Sequence, residues 1–308
     1  MTAAITAAMV KELRERSGAG MMDCKTALVE NKADIEAAID WLRTKGLAKA
    51  AKKSGRVAAE GLIGIAAAGL TGAMVEVNSE TDFVARNPQF QDMVTKIASV
   101  APKANGDFAK LLAMPFPGKT LSIAAHVTEM IATIGENMSV RRTACLTVTS
   151  GAVASYMHSQ IAPGLGKIGV LVALQGAVKH ADELATLGRN IAMHIAATNP
   201  IALDIEHVPA DVLLREKAIL AEKNQGKKPE VLEKIYQSSL KSFAKENCLL
   251  DQAFIHDPAK SVAQALKDAE GKLGGVVQIA SYVRYALGEG IEKKEDDFAG
   301  EVARAVKG

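Results

Sequence analysis

Aromatic side chains are scarce in this chain of 308 residues: 4% of the sequence, with a single Trp. The core therefore has to be filled mainly by Ala, Val, Leu, Ile and Met, in a chain that is 48% hydrophobic, which favours closely packed helices and small sheets. Cysteine is scarce too. Cys24, Cys145 and Cys248 lie far apart, are odd in number and form no C-x-x-C pair, so neither a disulfide framework nor a zinc site is suggested. Neither sign of charge dominates: 37 basic and 35 acidic residues leave a net charge of +2. That balance predicts no strong bulk attraction to nucleic acid or to an anionic membrane. No run of about 18 apolar residues occurs. Lys11, Glu12, Arg14, Glu15 and Arg16 arrive where a secretory leader needs a long apolar stretch. The expectation is a soluble, cytoplasmic protein.

Catalytic constellations are missing as well. His126, His158, His180, His194, His207 and His256 make no i,i+4 pair and have no Cys at metal spacing. His194, on an apolar helix, reads as a satisfied core residue. No G-x-S-x-G nucleophile elbow occurs. Gly164-Leu165-Gly166-Lys167-Ile168-Gly169 fits G-x-G-x-x-G in letters only, because it precedes a strand at Ile168 where a dinucleotide site must follow one into a helix. A hairpin turn explains its glycines. The expectation is no metal, no cofactor and no enzyme chemistry.

What is present is a set of short amphipathic segments. Ile5, Met9, Val10 and Leu13 share one helical face, stopped at Gly18-Ala19-Gly20. A second helix uses Met21, Ala27 and Leu28. A third, capped by Asp34, uses Ile35, Ala38, Ile39 and Leu42 and is expected to stop at Gly46. Residues 1–46 thus read as a three-helix bundle, too small to be firmly stable alone. Met21 and Met22 serve either as core filling or as a partner surface. Residues 47–56, rich in Lys and Ala, read as a basic linker, partly helical. An RNA-contact reading of that linker lacks stacking aromatics nearby.

A β-hairpin follows, 61–67 and 73–78, then helices from Thr81, from Gln89 and from about Ser122 to Ile134, giving a unit over 57–140. The same plan returns over 141–285. Strands are expected at Thr143–Val148, Ala152–His158 and Ile168–Leu174, then a helix at Asp182–Thr198, loops over 254–266 and a strand near 276–285. Hairpin followed by helix occurs twice, which reads as a degenerate duplication of two α+β subdomains. Residues 208–245 interrupt the second. Val212, Ile219 and Leu220 make one helical seam, a turn falls at Asn224–Pro229, and Leu232, Ile235, Tyr236, Leu240 and Phe243 make the return. This predicts an inserted antiparallel coiled-coil hairpin. Residues 286–308 read as a short C-terminal helical module.

The chain is organised around residues 74–87. Val75 and Val77 alternate with Glu76, so a strand is expected, ended by the turn residues Asn78, Ser79 and Glu80. Thr81 reads as a helix N-cap with Asp82 in the first turn, where the helix dipole favours negative charge. Asp82 and Phe83 then sit side by side at a strand-to-helix corner. The residues alone leave two readings: a core ring beside a dipole-complementing carboxylate, which is the commoner arrangement, or a small surface wedge for a partner.

Thr81-Asp82-Phe83-Val84 after a Glu-Val-Asn strand resembles the signature of the bacterial elongation factor Ts family. So do Arg16 to Lys25, the run Gly135-Glu136-Asn137-Met138 with Val140-Arg141-Arg142, and the C-terminal Gly288 to Lys293 with Asp297-Phe298-Ala299. The resemblance covers nearly the whole chain, with the motifs in order. It implies an α+β fold with a ubiquitin-associated-like N-terminal bundle. It also implies a guanine-nucleotide exchange factor for the GTPase elongation factor Tu, bound in its GDP and nucleotide-free states, with no direct nucleic-acid contact and no membrane. By the same resemblance Asp82 and Phe83 push between helices of the GTPase and disturb its Mg²⁺ site, while Thr81 and Val84 hold the corner. Secondary contacts fall at Met21, Met22, Ile134, Gly135, His158 and Ile291. The competing reading is an RNA- or ribosome-binding module using the 45–56 segment and the helical arm.

Overall fold

Short polar side chains set where the helices begin. Asp34, Asn87, Asp107, Ser122 and Ser261 each accept a hydrogen bond from a backbone amide two or three residues ahead. Asn105, Gly135, Asn199 and Gly274 turn left-handed at the far ends, where the helix can no longer continue. The structure, a computed structural model, describes residues 5–17 and 19–292. The expected C-terminal helix around Asp297 to Ala305 lies outside the described residues.

The first three helices, α1 (Ala7–Ser17), α2 (Met21–Glu30) and α3 (Ile35–Lys53), close around Leu13, Cys24, Ala27, Leu28 and Ala38. The expected stop at Gly46 is absent, and α3 runs on through most of the segment read as a linker. Gly46 is there for a different reason. It is buried, and a Cβ on it would lie 3.0 Å from the Cβ of Ala132, so it lets α3 lie close against α7 (Ile123–Ile134).

Two antiparallel sheets form the centre. β1 (Glu60–Ala68), β2 (Thr71–Ser79), β3 (Met138–Thr147) and the short β5 (Leu165–Gly166) order as β3-β2-β1-β5. β4 (Gly151–His158), β6 (Ile168–Gln175) and β9 (Gln278–Ala286) order as β4-β6-β9. The segment 143–148, expected in the second unit, therefore pairs with β2 in the first sheet. Alternation identifies a strand but not its partner.

Helices cover one face of each sheet. α5 (Pro88–Ala104) and α7 bury Phe90, Met93, Val94, Ile97, Val127 and Ile131 against Leu62, Val75 and Val77. α8 (Ala181–Thr198) and α11 (Val262–Leu273) bury Leu184, Ile191, Ile195, Leu266 and Leu273 against Val170, Val172 and Leu174. The other faces meet each other through Ile63 and Met74 on one side and Val153, Leu171 and Ala173 on the other. Gly169 keeps them close: a Cβ there would sit 2.5 Å from Met74 Sδ and 2.7 Å from Ile63 Cγ2. The glycines of the G-x-G-x-x-G run thus serve sheet-on-sheet packing as well as the turn at Gly164.

Three smaller elements complete the chain. α4 (Asp82–Ala85) and α6 (Phe108–Ala113) are single turns or little more. A small pairing of β7 (Ala253–Phe254) with β8 (Asp257–Ser261) leads into α11, where the sequence predicts only loops. Buried Val262, Leu266 and Leu273 supply the helical spacing that explains α11. The inserted hairpin matches its expected form: α9 (Ala210–Lys223) and α10 (Pro229–Asn247) return on one another. Its foot is held by Val208, Ala244 and Cys248 with Val212, Leu213 and Phe243, while α9 has no fully buried residue. Among the described residues, no helix is long and apolar enough to cross a membrane.

Candidate functional site

β2 is buried along nearly its whole length, so its end is rigid where the chain turns. Ser79 Oγ donates to the Thr81 carbonyl at 3.0 Å, and α4 begins at Asp82. Val84 and Ala85 point into the core beneath the first sheet. With those two facing inward, Asp82 and Phe83 face outward. The Phe83 side chain is 78% exposed, the highest value for a large hydrophobic residue among the described residues. Asp82 is exposed and belongs to no ion pair among the described residues. Of the two readings open at the sequence level, the core ring is excluded.

Thr81 occupies the N-cap position with extended backbone angles, but its side chain caps nothing. Its hydroxyl donates instead to Glu136 Oε1 at 2.7 Å, and its amide donates to Glu136 Oε2 at 2.9 Å. The N-cap expectation holds for position and fails for the hydrogen bond: the hydroxyl is directed to Glu136 and accepts no backbone amide of α4. The turn is latched in the reverse sense as well: the Asn137 amide donates to Glu80 Oε1. Asn137 Nδ2 donates to the Arg56 carbonyl at 2.7 Å, and Lys53 Nζ donates to the Gly135 carbonyl. Ile134 and Gly135, the end of α7, are thereby brought beside the 81–83 corner. Sequence reasoning singles out their segment but not Glu136 as a clamp.

The other candidate residues are more scattered. Met21 and Met22 open α2 at 58% and 70% exposure, which rules out core filling. His158 ends β4; its ring meets the Tyr156 hydroxyl at 3.2 Å and its carbonyl accepts from the Lys167 amide, both within the β4–β6 hairpin. Ile291 is half-buried and its amide donates to the Gly288 carbonyl at 3.0 Å.

That C-terminal stretch is fastened by a buried acid. A β-bulge between Glu76 and Val77 sets Arg141 and Arg142 opposite one residue of β2. Both arginines consequently reach the fully buried Glu76 carboxylate, Arg141 Nη1 at 3.1 Å and Arg142 through Nε. The Gly288 amide donates to the same carboxylate at 2.8 Å, and Asn78 Nδ2 at 3.1 Å. Burial pushes the Glu76 carboxyl up, but the Gly288, Arg142 and Asn78 hydrogen bonds and the Arg142 charge outweigh it and hold it below its ordinary value. Arg142 also lies 4.0 Å from the Tyr285 ring centroid and donates to the Ala286 carbonyl.

The basic residues of 45–56 are largely engaged within the chain. Lys45 sits 5.2 Å from the Trp41 ring centroid, Lys49 pairs with Asp23 at 3.0 Å, and Arg56 faces Glu80 at 3.5 Å. Buried His194 is bridged between Gln252 Oε1 and the Ile255 amide, which makes it the satisfied core residue expected of it. No group of three or more His, Cys, Asp or Glu among the described residues could hold a metal ion.

A family described as Elongation factor TS matches residues 80–289. The chain is 61% identical to Elongation factor Ts of Methylobacterium sp. (strain 4-46) over 305 residues, covering 99% of both chains. It is 61% identical to Elongation factor Ts of Bradyrhizobium diazoefficiens over 305 residues, covering 98% of both. To Elongation factor Ts of Parvibaculum lavamentivorans it is 58% identical over 308 residues, covering 99% of this chain and 100% of that one.

Proposed function

Because the chain belongs to the elongation factor Ts family, we propose that it is a cytoplasmic guanine-nucleotide exchange factor that binds elongation factor Tu in its GDP form. It promotes GDP release by disturbing the Mg²⁺ and phosphate site and stays bound to the emptied GTPase until GTP enters. The observation that carries this reading is the Phe83 ring, 78% exposed on a braced corner beside a carboxylate that has no ion pair among the described residues.

The mechanism is one of binding energy. A GTPase holds its nucleotide through phosphate contacts and Mg²⁺. A protein that binds the nucleotide-free form more tightly than the GDP form must weaken GDP by the same factor, because coupling between two ligands is reciprocal. A thousandfold effect requires about 4 kcal/mol of differential binding. One aromatic side chain that becomes buried only in the complex, with its neighbours, supplies energy of that order. Asp82 and Phe83 together press between helices of the GTPase and disturb its Mg²⁺ site, the role that the family resemblance implies for them. Met21, Met22, Ile134, Gly135, His158, Ile291 and the helical hairpin anchor the complex around that point. RNA binding through residues 45–56 draws little support, since those cations are turned toward Trp41, Asp23, Gly135 and Glu80.

The test is release of a fluorescent GDP from the cognate elongation factor Tu, with and without this chain. Release should accelerate in proportion to the added chain until saturation. An unchanged release rate at saturating chain would remove the exchange function.

A further inference from the structure

The corner that carries Phe83 is not held by its own helix. α4 is four residues long and has no side-chain cap. What fixes the residue just before it is a carboxylate from 55 positions away in sequence: Glu136, which takes the Thr81 amide and the Thr81 hydroxyl on its two oxygens. Glu80 returns the arrangement by accepting the Asn137 amide. Each segment thus offers a carboxylate to the other's backbone N–H. The supporting loop is itself immobilised, with Gly135 left-handed at φ 92° as the end of α7, its carbonyl taken by Lys53, and the Asn137 amide group on the Arg56 carbonyl.

We infer that Glu136 is a positioning residue for nucleotide exchange: its carboxylate holds Thr81 and so fixes the pose in which Asp82 and Phe83 meet the GTPase. This rests on the exchange reading above and deepens it. The physical reason is preorganisation. A wedge acts only if it arrives already aimed, because a ring on a loose turn must be ordered at the moment of binding and its ordering cost is subtracted from the energy available to expel nucleotide. Hydrogen bonds to a charged acceptor are about twice as strong as neutral ones, which makes a single carboxylate an effective clamp for a four-residue helix.

The experiment measures fluorescent-GDP release from elongation factor Tu over a range of concentrations of the full chain, so that maximal rate and half-saturating concentration separate. The variants are Glu136→Ala, Glu136→Gln, Thr81→Val, Phe83→Ala and the doubles Glu136→Ala with Thr81→Val and Glu136→Ala with Phe83→Ala. Thermal melts confirm folding. Glu136→Ala should lower the maximal rate about tenfold, with a smaller change in half-saturation, since misplacement acts on the step and not on the anchors. Glu136→Gln should recover most of the rate. Its amide oxygen accepts the Thr81 N–H, and the hydroxyl rotates to accept from the amide nitrogen. Adding Thr81→Val to Glu136→Ala should cost little more, and adding Glu136→Ala to Phe83→Ala should cost clearly less than it does in the wild-type chain, the remainder acting through Asp82. A folded Glu136→Ala variant with a wild-type maximal rate overturns the inference. So does an undiminished Glu136→Ala effect in the Phe83→Ala background. Failure of the exchange reading is distinct: the wild-type chain itself would then leave the rate of GDP release unchanged.

Discussion

Removing the Phe83 ring separates function from stability. In the free protein the side chain is 78% exposed. Little packing is lost in Phe83→Ala, and a surface change of this kind stays within about 0.5 kcal/mol of wild type. In the complex the same ring is to be buried, and full burial of a Phe side chain is worth about 1.5–3 kcal/mol. At about 1.4 kcal/mol per factor of ten, stimulated GDP release at subsaturating chain should fall roughly 10- to 100-fold. The neighbouring residue gives the contrast. Val84 is 5% exposed and packs in the first core, so Val84→Ala should cost about 1–3 kcal/mol in folding. Stopped-flow release of fluorescent GDP and urea melts of both variants make the comparison. If Phe83→Ala melts as wild type and still stimulates release at the wild-type rate, the ring is not the acting group and the reasoning from its exposure is wrong.

Glu76→Gln leaves two arginines without their buried acid and should destabilise the protein by about 3 kcal/mol in urea titrations, loosening residues 286–291 with it. Acid should act in two stages. His194 is held below its ordinary 6.5, by burial first, and Glu76 below its ordinary 4.5. In both cases the unfolded chain takes up its proton at higher pH than the folded one. The stability each contributes is therefore complete above the unfolded value and is lost as pH falls through the folded value, His194 first and Glu76 second. Melting temperature against pH should show both declines, and Glu76→Gln should flatten the lower one. Replacing residues 211–245 by a short turn should leave both sheets folded, because α9 has no fully buried residue and α10 only Ala244. Affinity for elongation factor Tu should then drop with the maximal release rate largely kept, and an unchanged affinity by titration would remove the hairpin from the docking surface.

The corner itself is legible in the sequence because its determinants are local. Alternation through Val75 and Val77 and the Thr81 position lie within a few residues, and the structure follows them; the turn expected at Asn78-Ser79 is not there, because both residues stay paired in β2 with β1 and β3. The hairpin is legible for the same reason: its seam repeats every three or four residues. What escapes is whatever depends on a distant partner. Thr81 carries the signature of a cap, yet its hydroxyl goes to Glu136, and no local pattern marks that pairing. Gly46 carries the signature of a stop, yet it is a contact point with Ala132 across two helices. Residues 143–147 are legible as a strand, but nothing local says that the bulge beside Glu76 will bring the two preceding arginines onto one buried acid. The outward aim of Phe83 is likewise decided by Val84 and Ala85 facing inward, a choice the four-residue segment alone leaves open.

As an exchange factor this chain would prefer an emptied GTPase to a filled one, with Phe83 supplying much of the preference. Affinity for elongation factor Tu should be measured by titration calorimetry in the nucleotide-free and GDP-bound states, for the wild-type chain and for Phe83→Ala. The account predicts a large ratio of the two affinities for wild type, equal to the factor by which the chain weakens GDP, and a ratio reduced roughly 10- to 100-fold in the variant through loss of the nucleotide-free complex. Equal affinities for the two states, or a ratio untouched by Phe83→Ala, would contradict it.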